Sequence, residues 1–209
     1  MPAESSKNNR PKFQVPAKTV ELEYEVKKSR FIARAVRAQN REQALAILEQ
    51  ARKDYPDARH HCWAYLIGNP RSPATVAMSD DGEPSGTAGK PILNVLQHKD
   101  VGDVMLVVIR YFGGIKLGAG GLVRAYSHAA QLAMTDLTTE TLIPLSQCLI
   151  KGGFEIEQPL RHWLDQRGGG VSSVEYGQNI CCQVELPDLE QEALQQFVQG
   201  LGAEFLTLE

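Results

Sequence analysis

The chain has 209 residues, is 43% hydrophobic and carries a formal net charge of −3 at pH 7. These values are ordinary for a globular protein of one large or two small domains. No apolar run reaches the roughly 18 residues that a membrane helix needs. Because the N-terminus also lacks the apolar core of a secretion signal, we expect a cytoplasmic protein with no membrane contact.

The charge is distributed unevenly along the chain. Residues 1–140 hold 19 Lys and Arg against 15 Asp and Glu, a balance of +4, whereas residues 141–209 hold 3 against 10, a balance of −7. A nucleic-acid-binding protein usually has a clear basic excess, so any RNA contact must use a local basic patch. The acidic C-terminal part is unsuited to phosphate and is more suitable for docking a protein partner.

The first part of the chain has the pattern of an α+β domain. Residues 1–18 are polar, contain three prolines and show no periodicity, which predicts a flexible tail. Alternation and apolar runs predict strands at Val20–Lys27, Phe31–Val36, His60–Ile67, Thr75–Met78 and Val104–Ile109. Helices are predicted from Asn40, a suitable cap, to Tyr55, from Ile92 to His98, and from Leu122 to Met134. We therefore expect residues 19–140 to form one domain.

A domain break is predicted near Thr138–Pro144, and the remaining segment, 141–209, has the order β-α-β-β-α-β. Its strands are predicted at Leu145–Phe154, Val171–Tyr176, Asn179–Leu186 and Glu204–Leu208, with helices at Glu157–Gln166 and Pro187–Leu201. This order is that of the ferredoxin-like fold. Because that scaffold hosts many unrelated functions, it indicates little about the activity.

A glycine-rich loop joins the fifth strand to the third helix. From Val104 to Thr135 there is no acidic residue. A helix N-terminus offers unpaired amides and the positive end of the helix dipole, which favour anions. We therefore predict a phosphate-facing surface, with Tyr111 or Phe112 available to stack on a base. Its predicted contacts are Arg110, Lys116, Gly118, Gly120, Gly121 and Arg124. The alternative is that the two aromatic residues belong to the core and that the glycines only permit close contact between helix and sheet.

A second glycine-rich loop, Ser79–Pro91, resembles a nucleotide-binding P-loop but fails its pattern. Pro84 replaces the first required glycine, and Pro91 replaces the hydroxyl residue that would hold magnesium. The loop still places Lys90 at a predicted helix start, which would be a second anion site, unless its glycines serve only tight turns. Its acids, Asp80, Asp81 and Glu83, could bind a metal or act as acid and base. The favoured interpretation is that they accept hydrogen bonds from neighbouring amides and order the loop.

The run His60-His61-Cys62 lies on a predicted strand, so His60 and Cys62 share one face. Zinc needs at least three protein ligands, and only two converge locally. A third could come from the Asp80 loop, although no spacing rule requires it, so packing and hydrogen bonding are the favoured interpretation. Together with four cysteines that lack CxxC spacing, this predicts reduced thiols, no metal and no cofactor. No catalytic residue is assigned.

These three stretches together resemble the signature of the IMPACT family, in the layout of its bacterial YigZ-type members. They are His60-His61-Cys62, Ser79-Asp-Asp-Gly-Glu-Pro-Ser-Gly-Thr-Ala-Gly-Lys-Pro91 and Arg110-Tyr-Phe-Gly-Gly-Ile-Lys-Leu-Gly-Ala-Gly-Gly-Leu-Val-Arg-Ala-Tyr126. The resemblance implies an N-terminal domain like the second domain of a small-subunit ribosomal protein, a two-layer sandwich containing a βαβ unit. It also implies a ferredoxin-like C-terminal domain and a role related to translation.

Two functional hypotheses follow from these observations. The first is a non-enzymatic regulator of translation that binds RNA or the ribosome through the glycine-rich basic surface. The second is an enzyme that acts on a phosphorylated small molecule or nucleotide at the same loops. The sequence favours the first hypothesis, because neither loop completes a known catalytic pattern.

Overall fold

The computed structural model describes residues 12–208, which belong to two compact units. One unit is formed by residues 13–142, and the other contains residues 143–208. Both combine strands with helices, so the α+β class predicted from the sequence is confirmed. No helix in this described range is long and apolar enough to cross a membrane.

The N-terminal unit is built on a five-stranded sheet of order β2-β3-β6-β4-β5, in which all neighbours are antiparallel. Its strands are β2 (Val20–Val26), β3 (Ser29–Arg37), β4 (His60–Asn69), β5 (Ser72–Ser79) and β6 (Val104–Tyr111). Its helices are α1 (Arg41–Asp54), α2 (Gly89–Gln97) and α3 (Ala119–Asp136). Asn40 caps α1 as predicted, since its side chain accepts a hydrogen bond from the amide of Gln43.

Helices cover both faces of this sheet, so the two-layer arrangement expected for this unit is wrong. Strand β6 is apolar from Val104 to Ile109 and is buried on both sides. Val104, Leu106 and Val108 face the cluster that includes α2 and α3. The alternate side chains of β6 pack with α1. A continuous apolar run is typical of a strand that is covered on both faces.

The flexible tail predicted for residues 1–18 is wrong from Phe13 onwards. Phe13–Pro16 form strand β1, which pairs antiparallel with β7 (Thr139–Leu142). The side chain of Val15 is fully buried. Residues 1–11 lie outside the described part of the chain. Such a short strand carries little local signal, and a partner more than a hundred residues away stabilises it.

The C-terminal unit has the element order β-α-β-β-α-β that the sequence predicts. Its strands are β8 (Leu145–Gly152), β9 (Gly170–Tyr176), β10 (Ile180–Pro187) and β11 (Glu204–Thr207), and its helices are α4 (Glu157–Asp165) and α5 (Gln191–Gly200). The antiparallel sheet has the order β11-β8-β10-β9. Both helices pack on one face of it, around a core that includes Ile150, Leu160 and Leu194.

Candidate functional site

A buried polar network joins the acidic loop to β6 and α3. The Glu83 carboxylate accepts a hydrogen bond from Arg110 Nη1 at 2.6 Å and another from the Tyr126 hydroxyl at 2.8 Å. The side chains of Arg110 and Glu83 are only 8% and 4% exposed. The guanidinium of Arg110 also lies over the rings of Phe31 and Phe112, each at 5.6 Å. Arg110 is therefore an interior ion-pair residue and is not exposed to a phosphate, contrary to the contact predicted from the sequence.

Cys62 extends this network toward the loop backbone. Its thiol lies 3.3 Å from the Tyr126 hydroxyl and 3.0 Å from the carbonyl oxygen of Asp80, and its single hydrogen can be donated to either oxygen. Burial raises the pKa of the Cys62 thiol and also the pKa of Tyr126. A thiol held in its neutral form is a poor nucleophile. The three motifs of the family signature thus meet in the interior, where they order the protein.

Asp80 occupies the start of α2, where the sequence predicted a second anion site. One carboxylate oxygen accepts hydrogen bonds from the amides of Ala88 and Gly89, and the other accepts one from Gly86, at 2.8–2.9 Å. Burial by itself raises the pKa of Asp80, but these three hydrogen bonds lower it below its ordinary value. The anion site expected beside Lys90 is therefore filled by the protein's own carboxylate. Lys90 itself is exposed.

Asp81 fixes the other side of the acidic loop. Its carboxylate accepts a hydrogen bond from the amide of His61 at 2.7 Å, and its carbonyl oxygen lies 2.8 Å from Nδ1 of His60. Burial lowers the pKa of His61. Among residues 12–208, no three His, Cys, Asp or Glu side chains are grouped so that they could hold a metal ion. The hydrogen bonds of Asp80 and Asp81 are of the amide type predicted for the acids of this loop, whereas Glu83 accepts from the side chains of Arg110 and Tyr126 instead.

The start of α3 differs from that of α2, because no carboxylate occupies it. Gly118 is the N-cap residue, and its φ of 74° is a conformation that favours glycine. Gly118 has no side chain to cap these amides, and within residues 12–208 the amides of Ala119–Gly121 donate no hydrogen bond to any other side chain. Lys116 and Arg124 are exposed, and neither forms an ion pair within that range. We call Lys116, Arg124 and these amides the α3 N-terminal surface.

The turn between β2 and β3 places two further cations close to the glycine-rich loop. Lys27 and Lys28 form a two-residue turn with φ values of 48° and 62°, and both are exposed. Gly113 contacts this turn, since a Cβ added to it would lie 1.9 Å from the carbonyl oxygen of Lys28. Its amide also donates a hydrogen bond to the Ser29 hydroxyl. The sequence prediction placed Lys27 at the end of a strand and did not include these lysines among the candidate contacts. The signal available was a short connection between two predicted strands that contains lysines and no glycine.

An open groove of about 520 Å³ lies between this turn and α3. Its lining includes Tyr24, Val26 and Lys27 on one side and Leu117, Arg124 and His128 on the other. We call it the α3 groove. It shares Arg124 and Gly121 with the α3 N-terminal surface, so the two are continuous.

The two aromatic residues of the loop have different surroundings. Tyr111 is partly buried among the residues of the α1 face, with the guanidinium of Arg30 over its ring at 5.3 Å. Because α3 packs on the opposite face, Tyr111 is not a neighbour of the α3 N-terminal surface. Phe112 is 55% exposed. It is therefore the loop aromatic with a ring open to solvent.

The C-terminal unit has a different surface on the sheet face that α4 and α5 leave uncovered. The strand register brings Leu149 beside Leu206 and Cys181 beside Glu175 on this face. Its ionisable side chains include Glu175, Glu185, Glu204 and Lys151. The face therefore combines exposed apolar area with a negative charge balance.

Comparison with known proteins agrees with this arrangement of motifs. The model of the Impact N-terminal domain matches residues 27–134. The IMPACT family member YigZ of Escherichia coli K12 is 40% identical over 173 residues, covering 83% of this chain and 85% of that protein. An IMPACT family member of Haemophilus influenzae is 46% identical over 128 residues, which is 61% of this chain and 62% of the relative. The chain belongs to the IMPACT family.

The family resemblance extends to a solved structure. A crystal structure described as that of a hypothetical protein is 36% identical, with a TM-score of 0.71, and covers 95% of this chain and 98% of its own. The similarity therefore extends over both units of the chain.

Proposed function

We propose that this protein is a non-enzymatic, translation-related factor that binds RNA through the α3 N-terminal surface, with ribosomal RNA as the expected partner. The observation that carries the proposal is the exposed start of α3, where, within residues 12–208, the amides donate to no carboxylate and Lys116 and Arg124 have no acidic partner. The translation role comes from the IMPACT resemblance.

The physical basis is the attraction of a helix N-terminus for anions. The aligned peptide dipoles of α3 are equivalent to about half a positive charge at this end. The amides and the side chains of Lys116 and Arg124 can each contact a phosphate oxygen of a bound RNA strand. Phe112, four residues before Lys116 in the same loop, offers an exposed ring for a base. Together these groups can bind a stretch of RNA by contacting its phosphates and one of its bases.

The same contacts argue against the enzyme hypothesis. The Asp80 carboxylate accepts three amide hydrogen bonds, and the Glu83 carboxylate is buried against Arg110. Burial raises the pKa of the Cys62 thiol, which disfavours the reactive thiolate. A general base or nucleophile must reach its substrate. Each of these groups instead bonds to the protein itself.

The test is RNA binding across a salt series, measured by fluorescence anisotropy. Lys116→Gln with Arg124→Gln should weaken binding, and the slope of log affinity against log salt should fall by about 1.4, since each single-strand phosphate contact contributes about 0.7. Arg41→Gln with Lys53→Gln is the matched control, because both exposed cations lie on α1, on the opposite face of the sheet. An equal loss in both variants would contradict the proposal.

Ribosome binding is tested separately by co-sedimentation at rising salt. We expect the wild-type protein to sediment with ribosomes at low salt and to dissociate at higher salt, and the Lys116→Gln, Arg124→Gln variant to dissociate earlier. RNA binding in solution without any ribosome association would remove the ribosome as partner while leaving RNA binding in place.

We also propose that the uncovered sheet face of the C-terminal unit docks a basic segment of a partner protein. Leu149 and Leu206 supply apolar area, and Glu175, Glu185 and Glu204 supply the complementary charge. A labelled peptide of alternating Lys and Leu should bind the full chain more tightly than a Glu-Leu peptide of equal length. Replacing the three glutamates by Gln should abolish that difference, and its persistence would refute the assignment.

A further inference from the structure

We propose that the α3 groove holds an unpaired base of the bound RNA, so that the protein prefers single-stranded to duplex RNA. This inference rests on the proposed function and specifies which form of RNA that surface takes. It depends on the size of the groove, the character of its walls and the cations at its rim.

The size and walls of the groove suit a nucleobase. Its volume of about 520 Å³ lies within the range of about 300–1,000 Å³ that is usual for small-ligand sites. Val26 and Leu117 provide apolar lining, and Ser127 and Gln131 add hydrogen-bonding groups. Such a mixture of apolar walls with a few polar groups binds flat heterocycles and fixes their orientation.

Two rings form part of the groove wall. The rings of Tyr24 and His128 contact each other edge-on, with centroids 4.6 Å apart. His128 is exposed, and its ring makes no hydrogen bond within residues 12–208. A base that enters the groove can therefore stack on His128 without breaking an existing polar contact.

The charge of the groove favours an anion beside the base. Its lining includes Lys27 and Arg124 and contains no acidic side chain among the described residues. Arg124 also belongs to the α3 N-terminal surface. One arginine is thus placed to contact the phosphate that links a base in the groove to the strand crossing the start of α3.

The turn at the rim of the α3 groove has backbone angles that are unfavourable for lysine. A two-residue hairpin turn with positive φ at both positions favours Asn-Gly, because other side chains are strained there. This chain has Lys27-Lys28 at those positions, held against Gly113. The turn therefore presents Lys27 at the groove, with Lys28 next to it in the chain, where a neutral pair would be more stable, which fits a binding role.

A duplex cannot offer a base to this groove without unpairing it. Sequence-tolerant proteins that bind single strands combine cations along the backbone with rings that stack on bases. Duplex RNA would still contact Lys116 and Arg124 through its phosphates. Stacking in the groove and on the exposed ring of Phe112 both contribute to the predicted difference between the two forms of RNA. The His128 variant isolates the contribution of the groove.

The experiment compares a labelled single-stranded 12-nucleotide RNA with a duplex of the same length by anisotropy. The wild-type protein should bind the single strand at least five-fold more tightly, a ratio typical of one stacked base. His128→Ala should reduce that preference toward one. Lys27→Asn with Lys28→Gly should lower single-strand affinity and its salt slope while raising the urea midpoint of unfolding, so misfolding cannot explain the loss.

The outcomes separate the two levels of the proposal. Equal binding of single strand and duplex, or unchanged affinity in the His128 and Lys27-Lys28 variants, would overturn the groove assignment. If Lys116→Gln with Arg124→Gln still weakened binding in that case, the proposed function would stand. If the wild-type protein bound neither RNA at low salt, both would fall.

Discussion

The buried pair of Arg110 and Glu83 makes the sharpest prediction about this fold. Replacing Glu83 by Gln removes the charge that faces a guanidinium only 8% exposed, while keeping an acceptor for Tyr126. At an effective dielectric constant of about 20, two unit charges about 4 Å apart attract by about 4 kcal/mol. Leaving one member of a buried pair uncompensated costs roughly 3–5 kcal/mol, so Glu83→Gln and Arg110→Met should each lower the free energy of unfolding by that amount.

The double variant tests whether the loss comes from the pair itself. With both charges removed, no buried charge is left uncompensated, so the combined loss should be smaller than the sum of the single losses by about 1–3 kcal/mol. The assay is urea unfolding followed by tryptophan fluorescence in a Trp163→Phe background, where Trp63 reports on the N-terminal unit alone. Single losses below about 1 kcal/mol that add without coupling would refute the argument.

Three further predictions concern groups around the same network. Asp80→Asn should lower the urea midpoint at pH 7, and the difference from wild type should shrink as the pH falls below 3.8, because the lowered pKa gives stability that protonation removes. Gly113→Ala, whose Cβ would meet backbone at 1.9 Å, should cost about 1–3 kcal/mol in urea unfolding, whereas Gly120→Ala should not. In native protein treated with iodoacetamide, peptide mass spectrometry should find Cys181 labelled well before buried Cys62.

The sequence predicts the elements of this fold better than their assembly. The alternation in β2 and the cap at Asn40 are local signals, and the structure agrees with both. Strand β1 was missed because its pairing with β7 is a tertiary effect. The apolar run of β6 did carry the information that both faces are covered, since an alternating pattern would be expected if one face met solvent.

The candidate site could be predicted only in part. An acid-free glycine loop before a helix predicts an anion site at the helix start, and α3 does begin after Gly118 with no side-chain cap, although anion binding there stays a prediction. The same reasoning fails at α2, where the Asp80 carboxylate accepts a hydrogen bond from the amide of Gly89, nine residues later in the chain. It also misplaced Arg110, because spacing along the chain does not show that Glu83 lies beside it in the interior. Both errors come from acids whose partners are set by loop geometry.

The burial of the signature residues limits what a family match can transfer. Glu83, Arg110 and Tyr126 define the motifs, yet they bond to one another inside the protein, so sharing them predicts a common architecture. The cations that can touch a ligand are exposed, and substitutions of such residues usually change stability by less than about 0.5 kcal/mol. The fold therefore places little constraint on them. Identical motifs therefore do not predict an identical binding surface, and the proposed binding function must be tested on Lys116 and Arg124 themselves.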